Sequence, residues 1–172
     1  MNTQAEADFL ALSITMQEFP SFGFYNSGPL AGASQRHRHL QVVPTPLDIR
    51  SGVQVPVQQW FVPKLLGGRQ PALPFRHQFR WIEDQAVQPA SEREAGGVGR
   101  RASELYKHYM DCMESLQLFG GDSGRCLPYN LLVTDEWIMV VARSQERIHG
   151  VELNALGYAG AKKWHYVPSH PL

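Results

Sequence analysis

Two histidines and a glutamine at alternating positions, His37, His39 and Gln41, form the most reactive pattern in this sequence. In an extended strand, side chains alternate between two faces, so these three project together while Arg38 and Leu40 point the other way. A neutral imidazole is a nucleophile toward electrophilic phosphorus near neutral pH, and a glutamine amide donates to a phosphate oxygen without giving up a proton. The pattern therefore predicts phosphate-transfer chemistry on one face of a strand.

Each member of the pattern has a predicted role. His39, the central member of the row, is the predicted nucleophile, and His37 is placed to hold the orientation and tautomer of its neighbour. Gln41 is placed to donate to a non-bridging phosphate oxygen. Further donors are expected from the preceding loop, as backbone N–H groups, a hydroxyl and an amide, on Gly32, Ala33, Ser34, Gln35 and Asn26. No metal is required by this arrangement.

An aromatic segment, residues 22–28, precedes that loop and ends in a turn. Its composition predicts a short strand that pairs with a strand over residues 37–43. The connection over residues 28–35 would then lie across the end of the pair, where it could cradle an anion. The two predicted strands and their loop form one candidate site.

Other interpretations of the two histidines remain open on residue type alone. Histidines two apart can ligate a metal, although the sequence offers no cysteine or carboxylate partner at close spacing and glutamine is a poor ligand for transition metals. They can also be surface residues of a basic edge strand beside Arg36 and Arg38. The longer string of residues around the histidines favours phosphate chemistry.

That string resembles the ATP adenylyltransferases, also called diadenosine tetraphosphate phosphorylases, of the histidine-triad superfamily. The matching segments are Phe24-Tyr25-Asn26-Ser27-Gly28, Gly32-Ala33-Ser34-Gln35, His37-Arg38-His39-Leu40-Gln41, Pro128-Tyr129-Asn130-Leu131-Leu132-Val133-Thr134, Trp137-Ile138-Met139-Val140-Val141 and Asn154-Ala155-Leu156-Gly157-Tyr158-Ala159-Gly160. The resemblance extends over about residues 8–160. We treat residues 1–172 as one domain of this kind, with a divergent tail over residues 161–172.

The resemblance implies roles for individual residues. The second histidine of H-x-H-x-Q attacks the α-phosphorus in the family, which implies His39 here, and residues matching Asn26, Ser34, Gln35 and Gln41 surround the phosphates. It also implies Ser27, Gly32 and Ala33 as substrate-binding residues. Asn130 is carried over as a nucleotide contact, with the capping of a turn as its alternative role.

The glutamine indicates the reaction type. Hydrolytic relatives have H-x-H-x-H, whereas the transferases have glutamine at the third position, so Gln41 is typical of a transferase. Family members carry an N-terminal region, with sheet strands and a phosphate-contacting lysine, that the resemblance does not include. We therefore expect an incomplete sheet with an open edge, and self-association through that edge.

Composition argues against several other classes of protein. Sixteen basic and sixteen acidic residues give zero net charge, which argues against bulk electrostatic binding of nucleic acid or of a membrane surface. The two cysteines, Cys112 and Cys126, indicate a reducing compartment without a disulfide framework. No apolar run approaches the length of a membrane span and no signal peptide is evident, so a cytoplasmic location is expected.

Periodicity predicts the elements that position the site. Residues 3–18 are expected to form a helix with a Thr3–Glu6 capping box, and residues 100–118 a second helix. Residues 129–134 and 137–143 are expected to form a hairpin around Asp135-Glu136. Short strands are expected over residues 53–57 and 75–82. The predicted core positions of the two helices are Phe9, Leu10, Leu12, Met16, Leu105, Tyr109, Cys112, Met113 and Leu116.

The fold class that follows is α+β, with a histidine-triad-like antiparallel sheet flanked by helices. The expected function is nucleotidyl transfer through His39, with diadenosine tetraphosphate and inorganic phosphate giving ATP and ADP, or the reverse. A divalent cation can accompany the nucleotide. The alternatives are a GDP-hexose phosphorylase-like transferase and a non-catalytic domain that binds adenine nucleotides.

Overall fold

The computed structural model describes residues 3–35, 37–59, 73, 75–82, 97–120, 126–148 and 151–160. The helices are α1 (Glu6–Glu18), α2 (Gly97–Ser115) and α3 (Ala155–Tyr158). The strands are β1 (Ser21–Asn26), β2 (Gln41–Pro44), β3 (His77–Trp81), β4 (Tyr129–Val133), β5 (Trp137–Ala142), β6 (Arg147–Ile148) and β7 (Val151–Glu152). A 3₁₀ turn spans Pro29–Ala31.

Five strands form an antiparallel sheet in the order β2-β1-β4-β5-β3, and β6 and β7 form a small separate hairpin. The order confirms that the aromatic strand pairs with the strand predicted over residues 37–43, of which the hydrogen-bonded part is β2. It also confirms the predicted hairpin, in which β4 and β5 pair across Asp135-Glu136. The α+β fold class is confirmed.

Helices α1 and α2 cover one face of the sheet, which we call the helical face. Phe9 of α1 packs against Tyr109 of α2, with ring centroids 5.3 Å apart and the ring planes tilted by 46°, and both residues are fully buried. Leu131, Val133, Ile138 and Val140 supply the sheet side of this core. The helical face holds most of the apolar side chains, so its burial is the main source of stability for the sheet.

The opposite face, which we call the α3 face, has its own core. Strand side chains on it pack with α3 and with the segment that follows β2, and these residues are Phe22, Phe24, Phe79, Leu132, Trp137, Met139, Val141, Val55, Val57, Leu153, Ala155, Tyr158 and Ala159. Strands β4 and β5 are buried on both faces, which explains why their sequences are apolar, Asn130 excepted, rather than alternating.

Helix α1 differs in two details from the prediction. It begins at Glu6, so the carboxylate of Asp8 reaches back to the N–H of Ala5 at 2.6 Å, and the predicted Thr3–Glu6 capping box is wrong. Phe9, Leu12 and Met16 are buried as predicted, whereas Leu10 lies 41% exposed on the outer side of the helix.

The strand predicted over residues 53–57 is also wrong. Val53 forms only an isolated bridge with Asp48, and the chain then turns, with the Gln58 N–H bonded to the Val55 carbonyl. Pro56 has no N–H for a ladder, which accounts for the interruption. Val55 and Val57 are nevertheless buried, so the alternation of valines reflected burial rather than a strand.

The remaining predicted elements are found where the structure describes them. Helix α2 begins three residues before the predicted start and ends three residues before the predicted end. All five predicted core positions are buried, with Leu116 just beyond the helix. The strand within residues 75–82 is β3. Predictions for residues 85–96, 121–125 and 161–172 lie outside the described residues. No helix among the described residues is long and apolar enough to cross a membrane.

Candidate functional site

The polar side chains of Asn26, Asn130 and Gln41 share the α3 face of the sheet. The β1–β4 register pairs Asn26 with Asn130, and the β1–β2 register pairs Phe24 with Gln41. Phe24 and Asn26 are two residues apart on β1 and therefore face the same side. The backbone N–H of Ala155, at the start of α3, donates to Asn26 Oδ1 at 2.8 Å. The candidate site lies at this corner of the sheet.

The hydrogen-bonded part of β2 starts at Gln41, so the strand predicted over residues 37–43 is shorter than expected. Continuing the register of β1 and β2 would place His39 opposite Asn26. The Asn26 carbonyl instead accepts from the N–H of Gly28 at 3.0 Å, which closes a turn and ends the ladder before His39. The two histidines therefore lie just beyond the strand.

The predicted separation of faces persists in this extended segment. Leu40 packs against the core of the helical face, as does Val42. Arg38 also points to that side, where its Nη1 donates to the Thr3 carbonyl at 2.7 Å and its Nη2 lies 3.3 Å from Asp8 Oδ2. These contacts hold the histidine segment, on the helical face, to α1 and to the residues that precede it.

The side chain of His39 is half-buried, and its Nδ1 lies 3.2 Å from the carbonyl oxygen of His37. A carbonyl oxygen can only accept, so the hydrogen bond requires a proton on Nδ1. In the neutral ring, Nε2 is then the unprotonated nitrogen with an available lone pair. The contact with His39 Nδ1 thus comes from the backbone of His37, whose own ring is exposed with its centroid 5.2 Å from that of His39.

Some polar groups of the loop before the histidines form hydrogen bonds within the loop itself. The N–H of Gly32 donates to the Pro29 carbonyl at 2.8 Å, and the N–H of Ala33 donates to the Gly28 carbonyl at 3.0 Å. Two of the predicted anion donors are therefore already engaged. Ser34 and Gln35 are exposed at the end of the loop, so their side chains are the accessible polar groups of this segment.

Gly32 brings the loop against the start of α3. Its φ is +78°, and a Cβ at this position would lie 2.9 Å from both the Asn154 Cβ and the Leu153 carbonyl oxygen. A glycine is required for both reasons, because other residues rarely adopt this conformation and would not fit. Asn154 caps α3 by accepting from the Gly157 N–H at 3.0 Å.

Asn130 is completely buried and fully hydrogen-bonded. Its Nδ2 donates to Asn26 Oδ1 at 2.6 Å and to the Ala31 carbonyl at 2.8 Å, and its Oδ1 accepts from Arg143 Nη1 at 2.7 Å. The side chain predicted to contact a nucleotide thus joins β1, the 3₁₀ turn and the residue after β5. Its role in this geometry is to hold Asn26.

Ser27 is also completely buried. Its Oγ accepts from the Tyr129 N–H at 2.6 Å, and its N–H donates to the Tyr129 carbonyl at 3.0 Å. Both contacts extend the β1–β4 pairing by one residue. This geometry gives the predicted substrate-binding serine a part in holding the two strands together.

Models of two protein domains match the chain in succession. The Ap4A phosphorylase N-terminal domain matches residues 1–63, and the ATP adenylyltransferase C-terminal domain matches residues 71–163, which is more than half of the chain. Ap4A denotes diadenosine tetraphosphate. The chain belongs to the Ap4A phosphorylase/ATP adenylyltransferase family. This membership confirms the resemblance found in the sequence.

Individual relatives of this family member are distant. Protein APA1 of Saccharomyces cerevisiae is 26% identical in an alignment 156 residues long, which covers 80% of this chain and 43% of APA1. Yeast Ap4A phosphorylase Apa2 superposes with a TM-score of 0.63 at 21% identity, over 92% of this chain and 54% of Apa2. The chain thus spans about half the length of these relatives.

Two further yeast Apa2 structures, in complex with AMP and with Ap4A, superpose with TM-scores of 0.59 and 0.57 at 23% and 20% identity. Each covers 92% of this chain. At these identities the likeness establishes the shared α+β fold.

Arg143 is the site residue of this family member that the sequence reasoning missed. It was assigned only to the end of a hairpin strand. The available signal was its position two residues after Val141, which pairs with Asn130, because that spacing puts Arg143 on the same face as Asn130. The start of α3 was missed as well, since its contact with Asn26 joins residues 129 positions apart.

No three histidine, cysteine or acidic side chains cluster to hold a metal ion within the part of the chain that the structure describes. Cys112 and Cys126 are buried free thiols. Burial raises the pKa of the Cys112 thiol to about 12. Neither thiol lies among the residues that form the candidate site.

Proposed function

We propose that this family member transfers a nucleotidyl group through a covalent adduct on His39 Nε2. The proposed reaction converts diadenosine tetraphosphate and inorganic phosphate to ATP and ADP, or runs in reverse. The observation that carries the proposal is the 3.2 Å contact between His39 Nδ1 and the His37 carbonyl, which leaves Nε2 as the nucleophilic nitrogen. Membership of the family supports the same chemistry.

The first step forms the adduct. The Nε2 lone pair bonds to the α-phosphorus of Ap4A, the bond from that phosphorus to its bridging oxygen breaks, and ATP leaves with the electron pair. The ring then carries positive charge, which the His37 carbonyl stabilises through the Nδ1 proton. The amides of Asn26 and Gln41 lie on the face where phosphate oxygens would accept from them.

The second step returns the enzyme to its starting state. An oxygen of inorganic phosphate bonds to the same phosphorus, the bond to Nε2 breaks with its electron pair returning to nitrogen, and ADP leaves. The proton of the attacking phosphate passes to solvent. Gln41 binds phosphate without exchanging a proton with water, which favours phosphate over water as acceptor. Any divalent cation arrives with the nucleotide.

Intact-mass spectrometry under a quench that preserves phosphoramidates tests the proposal. The parent chain incubated with Ap4A should gain an adenylyl group, and His39→Ala should not. His37→Ala is the matched control: it removes an imidazole two residues away but keeps the carbonyl that sets the tautomer, so the adduct should still form.

The other outcomes identify the alternatives. A guanylyl adduct from a GDP-hexose, without an adenylyl adduct from Ap4A, would replace the proposal with a GDP-hexose phosphorylase-like reaction. Thermal stabilisation by adenine nucleotides without any adduct would indicate a non-catalytic binding domain. Self-association through an open sheet edge stays a prediction, for which size-exclusion chromatography is the measurement.

A further inference from the structure

Arg143 carries a buried positive charge directly behind the candidate site. It follows β5, is 7% exposed, and donates to four oxygens: Asn130 Oδ1, and the carbonyls of Leu153, Gln145 and Glu146, at 2.6–3.1 Å. No carboxylate pairs with it among the described residues. A buried charge without an ion-pair partner lowers the stability of the fold, so its presence here indicates a functional role.

The hydrogen-bond partners of the guanidinium are all neutral, and the carboxylate of Glu146 acts on it only at longer range. Besides the four oxygens, the ring of Tyr158 lies 5.2 Å from the guanidinium carbon. Burial lowers the pKa of Arg143. Arginine stays charged in proteins even so. Because both of its terminal NH₂ groups are engaged with these four oxygens, they do not reach a ligand, and their effect on the site passes through Asn130.

The hydrogen-bond chain from Arg143 has a fixed direction. Arginine has no acceptor, so the atom of Asn130 that faces it must be Oδ1, and Nδ2 must be the donor toward Asn26 and Ala31. Asn26 then presents Oδ1 to two donors, Asn130 Nδ2 and the Ala155 N–H. Its own Nδ2 is left to point away from both, on the face that it shares with Gln41.

We propose that Arg143 is a positioning residue that fixes the amide of Asn26 with its NH₂ group toward the phosphates of the nucleotide. The inference rests on the proposed function and adds to it one residue, Arg143, that holds Asn26 with its NH₂ group toward the phosphates. The Ala31 carbonyl and the Ala155 N–H favour the same orientations of the two amides. Without Arg143, however, the buried Asn130 Oδ1 loses this donor, so Asn130 is no longer held in place and Asn26 shifts with it. The Asn26 NH₂ group would then be misplaced relative to the phosphate oxygens.

A double-mutant cycle between Arg143 and Asn26 tests this. Asn26→Asp keeps an oxygen for both internal donors and replaces only the outward NH₂ group by an oxygen, so the fold should persist while phosphate binding weakens and adduct formation slows. Arg143→Met should slow adenylyl adduct formation by about 10- to 100-fold per folded molecule, as expected for one misplaced donor. In the Asn26→Asp background, Arg143→Met should cause no further slowing.

Two more variants separate positioning from folding. Arg143→Lys keeps the charge and is the substitute if Arg143→Met does not fold. It should slow adduct formation in the parent and cause no further slowing in the Asn26→Asp background. Arg76→Met is the matched control, because Arg76 also donates to a carbonyl, that of Leu116 at 3.0 Å, but lies just before β3, away from the site. It should leave the rate of adduct formation per folded molecule unchanged.

Each outcome has one meaning. The inference is overturned if Arg143→Met slows adduct formation by the same factor in the Asn26→Asp background as in the parent. It is also overturned if the folded Arg143 variants form the adduct at the parent rate. Either result leaves the proposed function intact. A parent chain that forms no adduct would overturn the proposed function, and the cycle is then measured on ATP binding by thermal shift, with the same coupling expected. A folded parent that neither reacts with Ap4A nor binds ATP would overturn both.

Discussion

Arg38 Nη2 lies 3.3 Å from Asp8 Oδ2, so an ion pair joins the segment that bears both histidines to the first helix. The same arginine donates to the Thr3 carbonyl at 2.7 Å. Because the ladder between β1 and β2 stops before His39, these side-chain contacts replace the backbone bonds that a longer strand would have supplied. The position of the histidines thus depends on a pair at the protein surface.

Replacing Arg38 by methionine should weaken catalysis more than stability. An exposed ion pair contributes about 0.2–1 kcal/mol, so the free energy of unfolding should fall by no more than about 1 kcal/mol. The rate of adduct formation should fall by about tenfold or more, because a small displacement of a reacting group has a large effect on rate. Urea unfolding and intact-mass kinetics measure the two quantities.

Arg101→Met is the matched control. Arg101 also combines an aspartate pair, with Asp135 at 3.0 Å, and a bond to a backbone carbonyl, that of Thr134, but it lies on α2 on the helical face, away from the histidines. It should show a similar loss of stability and an unchanged adduct rate. Equal rates for the two variants would contradict the role given to Arg38.

Gly32→Ala should destabilise the fold by about 3 kcal/mol. The left-handed conformation costs a non-glycine residue about 1–2 kcal/mol, and crowding against Leu153 and Asn154 adds a similar amount. Gly52→Ala isolates the first effect, because its φ is +69° and a Cβ there would meet nothing within 4 Å. Chemical denaturation should show the larger loss for Gly32→Ala; equal losses would mean that the loop moves away freely.

The two serines near the site should separate structure from binding. Ser27→Ala leaves the buried Tyr129 N–H without its acceptor, which should lower the free energy of unfolding by about 1–3 kcal/mol. Ser34→Ala, at an exposed position, should leave unfolding unchanged and weaken nucleotide binding. Urea unfolding and nucleotide titration test both. Weaker binding by Ser27→Ala at unchanged stability would contradict the structural role of Ser27.

Alkaline pH should destabilise the protein through its buried phenols. Burial raises the pKa of Tyr25, Tyr109, Tyr129 and Tyr158 above the ordinary value. Below about pH 10 both states keep these protons, so pH has no effect through them. Above it the unfolded chain releases protons that the folded chain retains, so stability falls by about 1.4 kcal/mol per pH unit for each such group.

Tyr109→Phe should make this alkaline decline shallower. At neutral pH it should also lower the free energy of unfolding by about 1 kcal/mol, because Tyr109 Oη bonds Tyr129 Oη at 2.8 Å and the Gln4 N–H at 3.1 Å. Tyr106→Phe, on the same helix and only half-buried, is the control. Urea unfolding at several pH values is the measurement, and an identical slope for Tyr109→Phe and the parent would rule out a buried titration at Tyr109.

Local periodicity was sufficient for the parts of the fold in which neighbouring residues determine the structure. The alternation of His37, His39 and Gln41 against Arg38 and Leu40 predicted which side chains share a face. The apolar runs predicted the β4–β5 hairpin and the core of α2. The prediction failed for the length of β2, because the Asn26–Gly28 turn that ends the ladder lies in another part of the chain.

The supporting part of the site was not predictable because its contacts are distant in sequence. Arg143, Asn130 and Asn26 are joined by hydrogen bonds that depend on the order of strands in the sheet. Periodicity carries no information on that order. Gly32 illustrates the same limit: the sequence indicates a turn there, but only the packed fold shows that Leu153 and Asn154 exclude a larger side chain.

The contact of Asn26 with Ala155 also sets the order in which the site can form during synthesis. These residues are separated by 129 positions, and at about 5–20 residues per second the ribosome adds the second on the order of 10 s after the first. During that interval the histidine segment exists without α3 and without Arg143. The nascent chain is therefore complete in its reactive groups well before it can hold them in place.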